Sequence, residues 1–220
     1  TANSKQQTAN SKQQTANSKQ QQTMIILSSH YLPCIQWFQA ALSEGEVVID
    51  VFEHFLKQTY RNRTTILSAN GKMALTVPLK KSANHTPVAA MMIENDFPWQ
   101  HQHWQAIVSA YNSAPYFFYY QDYFKPLYEK EYAFLLEWNR ALLEVCFKLM
   151  KVEKPFIYSE HYCEKGNENA DYRMFISPKN KEVVVMPKYL QVFAEKYTFE
   201  PNLSIIDVLF NQGPRWKEFL

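Results

Sequence analysis

Glycine is scarce: there are four among 220 residues, at Gly45, Gly71, Gly166 and Gly213, and no two are close together. A dinucleotide fingerprint or a phosphate-cradling loop needs clustered glycines so that backbone N–H groups can approach phosphate, and both are excluded. Cysteine is equally sparse. Cys34, Cys146 and Cys163 form an odd set without CxxC spacing, which argues against a disulfide framework or structural zinc and fits a reducing compartment. No uncharged apolar run approaches the roughly 18 residues needed to cross a bilayer. The first residues hold no apolar signal core. We therefore expect no membrane span and a cytoplasmic location.

Residues 1–23 lack acidic and aromatic side chains altogether. They spell TANSKQQ three times, with one alanine as the only apolar residue per unit, so the seven-residue period carries no coiled-coil seam. The tract reads as a disordered, solvated extension, with Met24 as the true start, and residues 24–220 as a single domain. The formal charge of +2 owes three lysines to the tract. Taking those from the 23 basic residues leaves 20 against 21 acidic ones in the rest. Such a balance does not support nucleic-acid binding. All 34 aromatic residues follow the tract, ample for a core.

The pattern after Met24 predicts an α/β fold: a small mixed sheet with a βαβ-type opening, an Asn-Gly hairpin and a helical middle section. Met24–Ser28 reads as a strand. Pro33 opens a helix whose Ile35, Phe38, Ala41 and Leu42 recur at helical spacing, and Val47–Val51 is a second, β-branched strand. Asn70-Gly71 predicts a type I′ hairpin pairing Ala69 with Lys72, Ile66 with Leu75 and Arg63 with Pro78. On that pairing Ile66, Met73, Leu75, Val77 and Leu79 face the core. Arg63 faces the other way, and extending the period of two adds Arg61 and Lys80 to its face. Three cations in a row are either an anion-docking strip or a solvated sheet face. Val88–Glu94 could form another strand.

Pro98 opens a helix through about Asn112 with the stripe Trp99, His103, Ala106, Ile107 and Ala110. His103 lies on that stripe and His101 points to water, so the HxH pair cannot converge on one metal ion. His103 is either a general base or a core histidine bonded to a carbonyl. Tyr111 to Tyr132 holds ten aromatic residues, Tyr116 among them, punctuated by Pro115 and Pro126. That wall either stacks on a sugar or base or simply packs helices. Glu131–Met150 predicts a long amphipathic helix whose apolar face is interrupted by Asn139, which ties down backbone or faces a polar cavity. Phe156–Ser159 reads as a late strand, Glu160–Asp171 as a loop, and Leu190–Lys196 as a short element. Ile205–Phe210 reads as a last helix capped by Asn202 or Ser204 and ended by Gly213-Pro214.

In order along the chain stand His30-Tyr31-Leu32-Pro33, Lys57-Gln58-Thr59-Tyr60-Arg61-Asn62-Arg63, Asn70-Gly71 and Leu75-Thr76-Val77-Pro78. Then come Trp99 with Gln102-His103-Trp104, Ser109-Ala110-Tyr111, Pro115-Tyr116-Phe117, Asn139, Tyr172-Arg173, Ser177-Pro178-Lys179 and Pro201-Asn202-Leu203-Ser204. Together these words resemble the WbqC-like protein family, in the form common in Bacteroidetes-type bacteria. The family is mostly uncharacterised and often tied to O-antigen and other surface-polysaccharide loci. The resemblance thus implies a small-molecule substrate, a sugar or nucleotide-sugar, and a role as transferase. Ser29-His30 stand where the family often reads Gln-Pro.

Joined to the residue reading, this outlines a centre in which His103 is the general base. Arg61, Arg63 and Lys80 hold a phosphate or carboxylate, and Lys57 neutralises developing charge. Tyr111, Tyr116 and Asn139 position the sugar. Acyl or aminoacyl transfer and glycosyl transfer both fit. His30, at the end of the first strand, offers a different reading as a phosphate contact of a nucleotidyl transferase, although the glycine and second histidine of that motif are missing. A non-catalytic scaffold of polysaccharide assembly is the remaining alternative. No metal ligands are nominated, and cofactor and oligomeric state stay open.

Overall fold

The computed structural model describes residues 24–164, 170–180 and 185–220. The TANSKQQ tract lies outside them. β1 (Met24–Ser28), α1 (Ile35–Leu42) and β2 (Glu46–Asp50) form the expected opening, and β1 and β2 pair in parallel from Met24↔Glu46 to Ser28↔Asp50. The β-branched runs suit strands buried on both faces, where helices cover a parallel sheet. β5 (Phe156–Tyr158) adds in parallel beyond β2, and β6 (Ala170–Asp171) adds in parallel on the other side of β1. The order β5-β2-β1-β6 reverses direction at β1. In open α/β sheets, ligands bind beyond the carboxyl ends of the strands at such a reversal.

β3 (Arg63–Ser68) and β4 (Gly71–Thr76) form the hairpin as a separate two-stranded sheet. Its register differs from expectation by two residues: Arg63 pairs with Thr76, Ile66 with Met73 and Ser68 with Gly71. The tip is Ala69-Asn70. Ser68 Oγ donates to Gly71 O (2.8 Å) and accepts from the Asn70 N–H (3.2 Å), while Tyr197 Oη donates to Ala69 O. A shift of two preserves which residues share a face. Leu75 and Val77 are accordingly buried, although Met73, nearer the tip, is exposed.

α2 (Trp99–Tyr111), α3 (Phe117–Glu129) and α4 (Leu135–Met150) make the helical middle. Pro126 lies inside α3 instead of ending it. α4 begins at Leu135, not near Glu131, because Ala133 O accepts from the Ile93 N–H and Phe134 bridges to Met92. Val88–Glu94 is not a strand: a 3-10 turn at Val88–Ala90 precedes isolated bridges at Met92 and Ile93. Trp138 anchors the core, with the rings of Tyr31, Trp99, Tyr128 and Tyr132 centred 4.9–5.9 Å away. α5 (Ile205–Gln212) follows Ser204, whose side chain bonds to Leu32 O and leaves the helix uncapped by it. Gly213, at φ +53°, ends α5. A Cβ there would lie 2.4 Å from the Tyr116 ring, so both backbone and space require glycine.

Candidate functional site

Asp50 ends β2, and both its oxygens are engaged. Oδ1 accepts from the N–H groups of Phe52 (2.9 Å) and Glu53 (3.1 Å) and from Ser159 Oγ (3.1 Å). Oδ2 accepts from the Cys163 N–H (3.2 Å) and Arg173 Nη1 (2.5 Å). Asp171 ends β6 and receives the other side of the same guanidinium, from Nε at 3.0 Å and Nη2 at 2.8 Å. Arg173 thus clamps the ends of two strands. Burial works against its charge, but the bonds to Asp171 and Asp50 outweigh it and raise its pKa.

A second clasp lies beside the first. Arg61 Nε and Nη2 donate to Glu53 Oε1 (2.9 Å) and Oε2 (2.5 Å), and Nη2 lies 3.5 Å from Arg173 O. Arg61 is 1% exposed. Burial raises the Glu53 pKa, and the Arg61 bonds offset only part of that. Above both clasps opens a cleft of about 780 Å³ with Glu53, Asp171 and Arg173 in its wall. Phe52, Leu56, Tyr162 and Met174 form its exposed rim, with His54. The Tyr162 ring centre is 4.8 Å from the Arg173 guanidinium carbon.

His30 and Asn139 sit beside the Arg61 clasp. The Tyr31 N–H donates to Tyr60 O (3.0 Å), so the segment after β1 and the turn carrying Arg61 run together. Asn139 Nδ2 donates to Arg61 O (2.9 Å) and Ser29 Oγ (3.3 Å). Asn139 Oδ1 and both ring nitrogens of His30 are buried and find no partner among the described residues. Burial, then the Arg61 charge, lowers the His30 pKa well below its ordinary value, so the ring is neutral.

The proposed three-cation strip does not form. β3 starts only at Arg63, so the period of two does not extend back to Arg61, whose side chain turns inward to Glu53. Arg63 donates from Nε to Thr76 Oγ1 (3.2 Å) on the hairpin's outer face, and Lys80 and Lys57 are exposed. His103 lies at 8% exposure among aromatic rings. Its Nδ1 is 3.1 Å from Tyr31 Oη, which is 3.0 Å from Tyr128 Oη, and it packs edge-on to Trp99. Tyr111 donates to Asp207 Oδ1 (2.9 Å), while Tyr189 and Gln191 donate to Asp207 Oδ2. Tyr116 lines a second cleft, beside α5. The candidates therefore divide. His30, Arg61 and Asn139 lie by the sheet-end cleft, and the others belong to the hairpin, the aromatic core or the α5 side.

Burial pushes the His103 pKa down to about 4 from 6.5. The unfolded chain therefore takes up this proton first as pH falls, and stability present above pH 6.5 drains away towards pH 4. His103 alone should cost about 2 kcal/mol between pH 7 and pH 5. Urea midpoints at the two pH values should show the loss, and His103→Gln should reduce it. An unchanged slope in that variant would refute a neutral buried imidazole.

Asp50, Glu53, Asp171 and Arg173 were not read as site residues from the sequence. The available signal was an acid at a strand's carboxyl end, but β6 is two residues long and pairs with Ile25 and Ile26 from about 145 positions away.

Residues 28–181 match the model of the WbqC-like protein family, a span that includes both clasps. Uncharacterized protein Rv1507c of Mycobacterium tuberculosis is 24% identical over 222 residues, covering 89% of this chain and 96% of its own length. No solved structure matches.

Proposed function

The chain belongs to the WbqC-like protein family, and on that premise we propose that it is a transferase acting on a nucleotide-linked or amino sugar in surface-polysaccharide biosynthesis, with its centre in the sheet-end cleft. The observation that carries this reading is the cleft itself, a charged floor and an aromatic rim at the point where the strand order reverses. Three carboxylates face two guanidinium groups there, a formal balance of one negative charge. With its arginines already paired, such a floor favours hydroxyl and ammonium groups over a bare polyphosphate. Phe52 and Tyr162 offer ring faces to the apolar side of a sugar.

In this reading Glu53 replaces His103 as the general base. Its raised pKa suits a group that takes a proton from an acceptor amine or hydroxyl as that atom bonds to the transferred group, while the bond joining that group to its donor breaks and the donor leaves with the electron pair. Arg61 holds the carboxylate in place, and Asp171, oriented by Arg173, accepts from a sugar hydroxyl. Thermal-shift titration with nucleotide-linked amino sugars, nucleoside triphosphates and acyl-coenzyme A should show stabilisation by the first class, and Asp171→Asn should remove it. Stabilisation by triphosphates alone, or none by any sugar, would refute the assignment.

A scaffold role has one observation in its favour: Phe118, Tyr119 and Tyr123 project from α3 at 74, 67 and 42% exposure. That reading predicts that Asp171→Asn still complements a deletion strain, whereas changes at Phe118 and Tyr119 do not.

A further inference from the structure

His54 and His85 face each other across two segments that backbone bonds lock side by side. The Phe55 N–H donates to Thr86 O (2.9 Å), Val88 N–H to Glu53 O (3.0 Å) and Ala89 N–H to Val51 O (2.9 Å), and His54 bridges to Pro87. His85 sits at φ +63°, a conformation uncommon outside glycine and asparagine. The turn is closed by Thr86 Oγ1 donating to Ala83 O (2.8 Å). The result brings the two Nδ1 atoms to 3.2 Å, with ring planes at 65°.

Two imidazoles that meet through the same nitrogen can share one proton, or both can turn a lone pair to one ion. The 3.2 Å spacing fits a shared proton and also comes close to what the second arrangement needs. Zinc–nitrogen bonds of about 2.0–2.1 Å at a tetrahedral angle place two ligand nitrogens about 3.3–3.4 Å apart. Neutral imidazole is the common protein ligand for zinc, copper and nickel. We propose that His54 and His85 form a two-imidazole site for a divalent transition-metal ion on the rim of the sheet-end cleft. Among the described residues no group of three His, Cys, Asp or Glu side chains gathers around one point. An ion held here therefore keeps two or more positions for water or for an oxygen of the bound molecule. His54 also lines the sheet-end cleft, so the site adjoins it.

The geometry does not depend on the sugar reading, and the test uses Zn²⁺ alone. Isothermal titration of the full chain, free of any affinity tag, should show one saturable equivalent. His54→Ala and His85→Asn should each weaken it at least about tenfold. Asparagine tolerates the left-handed turn, and both positions are exposed, so melting temperatures without metal should stay close to the parent's. Absence of saturable binding in the parent chain would overturn the site. So would binding that survives either substitution, since a single imidazole or another group would then be the ligand.

Discussion

Arg61→Ala should destabilise the protein by about 3–5 kcal/mol, because it strands the Glu53 carboxylate in the interior. Arg61 and Glu53 side chains are 1% and 6% exposed, and the pair is joined by two bonds. Taking both charges out of water already costs several kcal/mol, and mutual attraction recovers it only while both are present. The double variant Glu53→Leu/Arg61→Met should therefore be more stable than Arg61→Ala, against simple addition of two losses. Urea unfolding of the single and double variants measures the coupling. If Arg61→Ala costs under about 1 kcal/mol, the pair is solvated and does not behave as a buried ion pair. Because the double variant keeps the fold while deleting Glu53, it also separates stability from chemistry: the reading of Glu53 as base requires it to be inactive.

Arg173→Lys should have the second large effect, chiefly on ligand binding. The guanidinium fork spans Asp50 on one side and Asp171 on the other, through three donors. An ammonium keeps the charge but cannot hold both carboxylates in one plane. Two strand ends would lose their common clamp, and Asp50 would keep its bonds to Phe52, Glu53, Ser159 and Cys163 while losing its cation. We expect about 1–3 kcal/mol of lost stability. Sugar affinity should fall at least about tenfold, read as loss of the ligand-induced rise in melting temperature. Full sugar-dependent stabilisation in the lysine variant would show that the clamp serves folding alone.

The two effects bear on why the site was only partly legible beforehand. His30 stands out by its place at the end of the first strand, Arg61 as a cation reached by extending the hairpin's alternation, and Asn139 as a polar residue interrupting an apolar face. Each of these signals is local, and a polar side chain on a buried face must be satisfied or must serve something. Their shared location beside the cleft was not local. Asn139 reaches Arg61 across 78 positions and Ser29 across 110, and no periodicity carries such a distance. Arg61 misled because alternation was carried two residues beyond the strand, into a turn where Glu53 decides where the side chain goes.

The hairpin shows the same division at smaller scale. Asn70-Gly71 correctly marks a tight turn, and the period of two correctly assigns Leu75 and Val77 to the core. The bend nevertheless closes one position earlier. Ser68 bridges it with its own hydroxyl, and Tyr197 and Lys196 hold Ala69 O from outside. A dipeptide preference worth a fraction of a kcal/mol yields to several hydrogen bonds of about 1 kcal/mol each.

By itself, the order of residues determined the α/β class, the parallel β1–β2 pair, the helices around Trp99, Leu142 and Val208, and the buried stripe of the first two, because spacing and side-chain polarity act over a few positions. Only the folded chain decided that Asp50, Glu53, Asp171, Arg61 and Arg173 share one floor, that His103 is sealed among rings, and that His54 meets His85. Those are pairings between distant segments, fixed by which charges can leave water together and by where the sheet reverses, and neither is written in any short stretch of sequence.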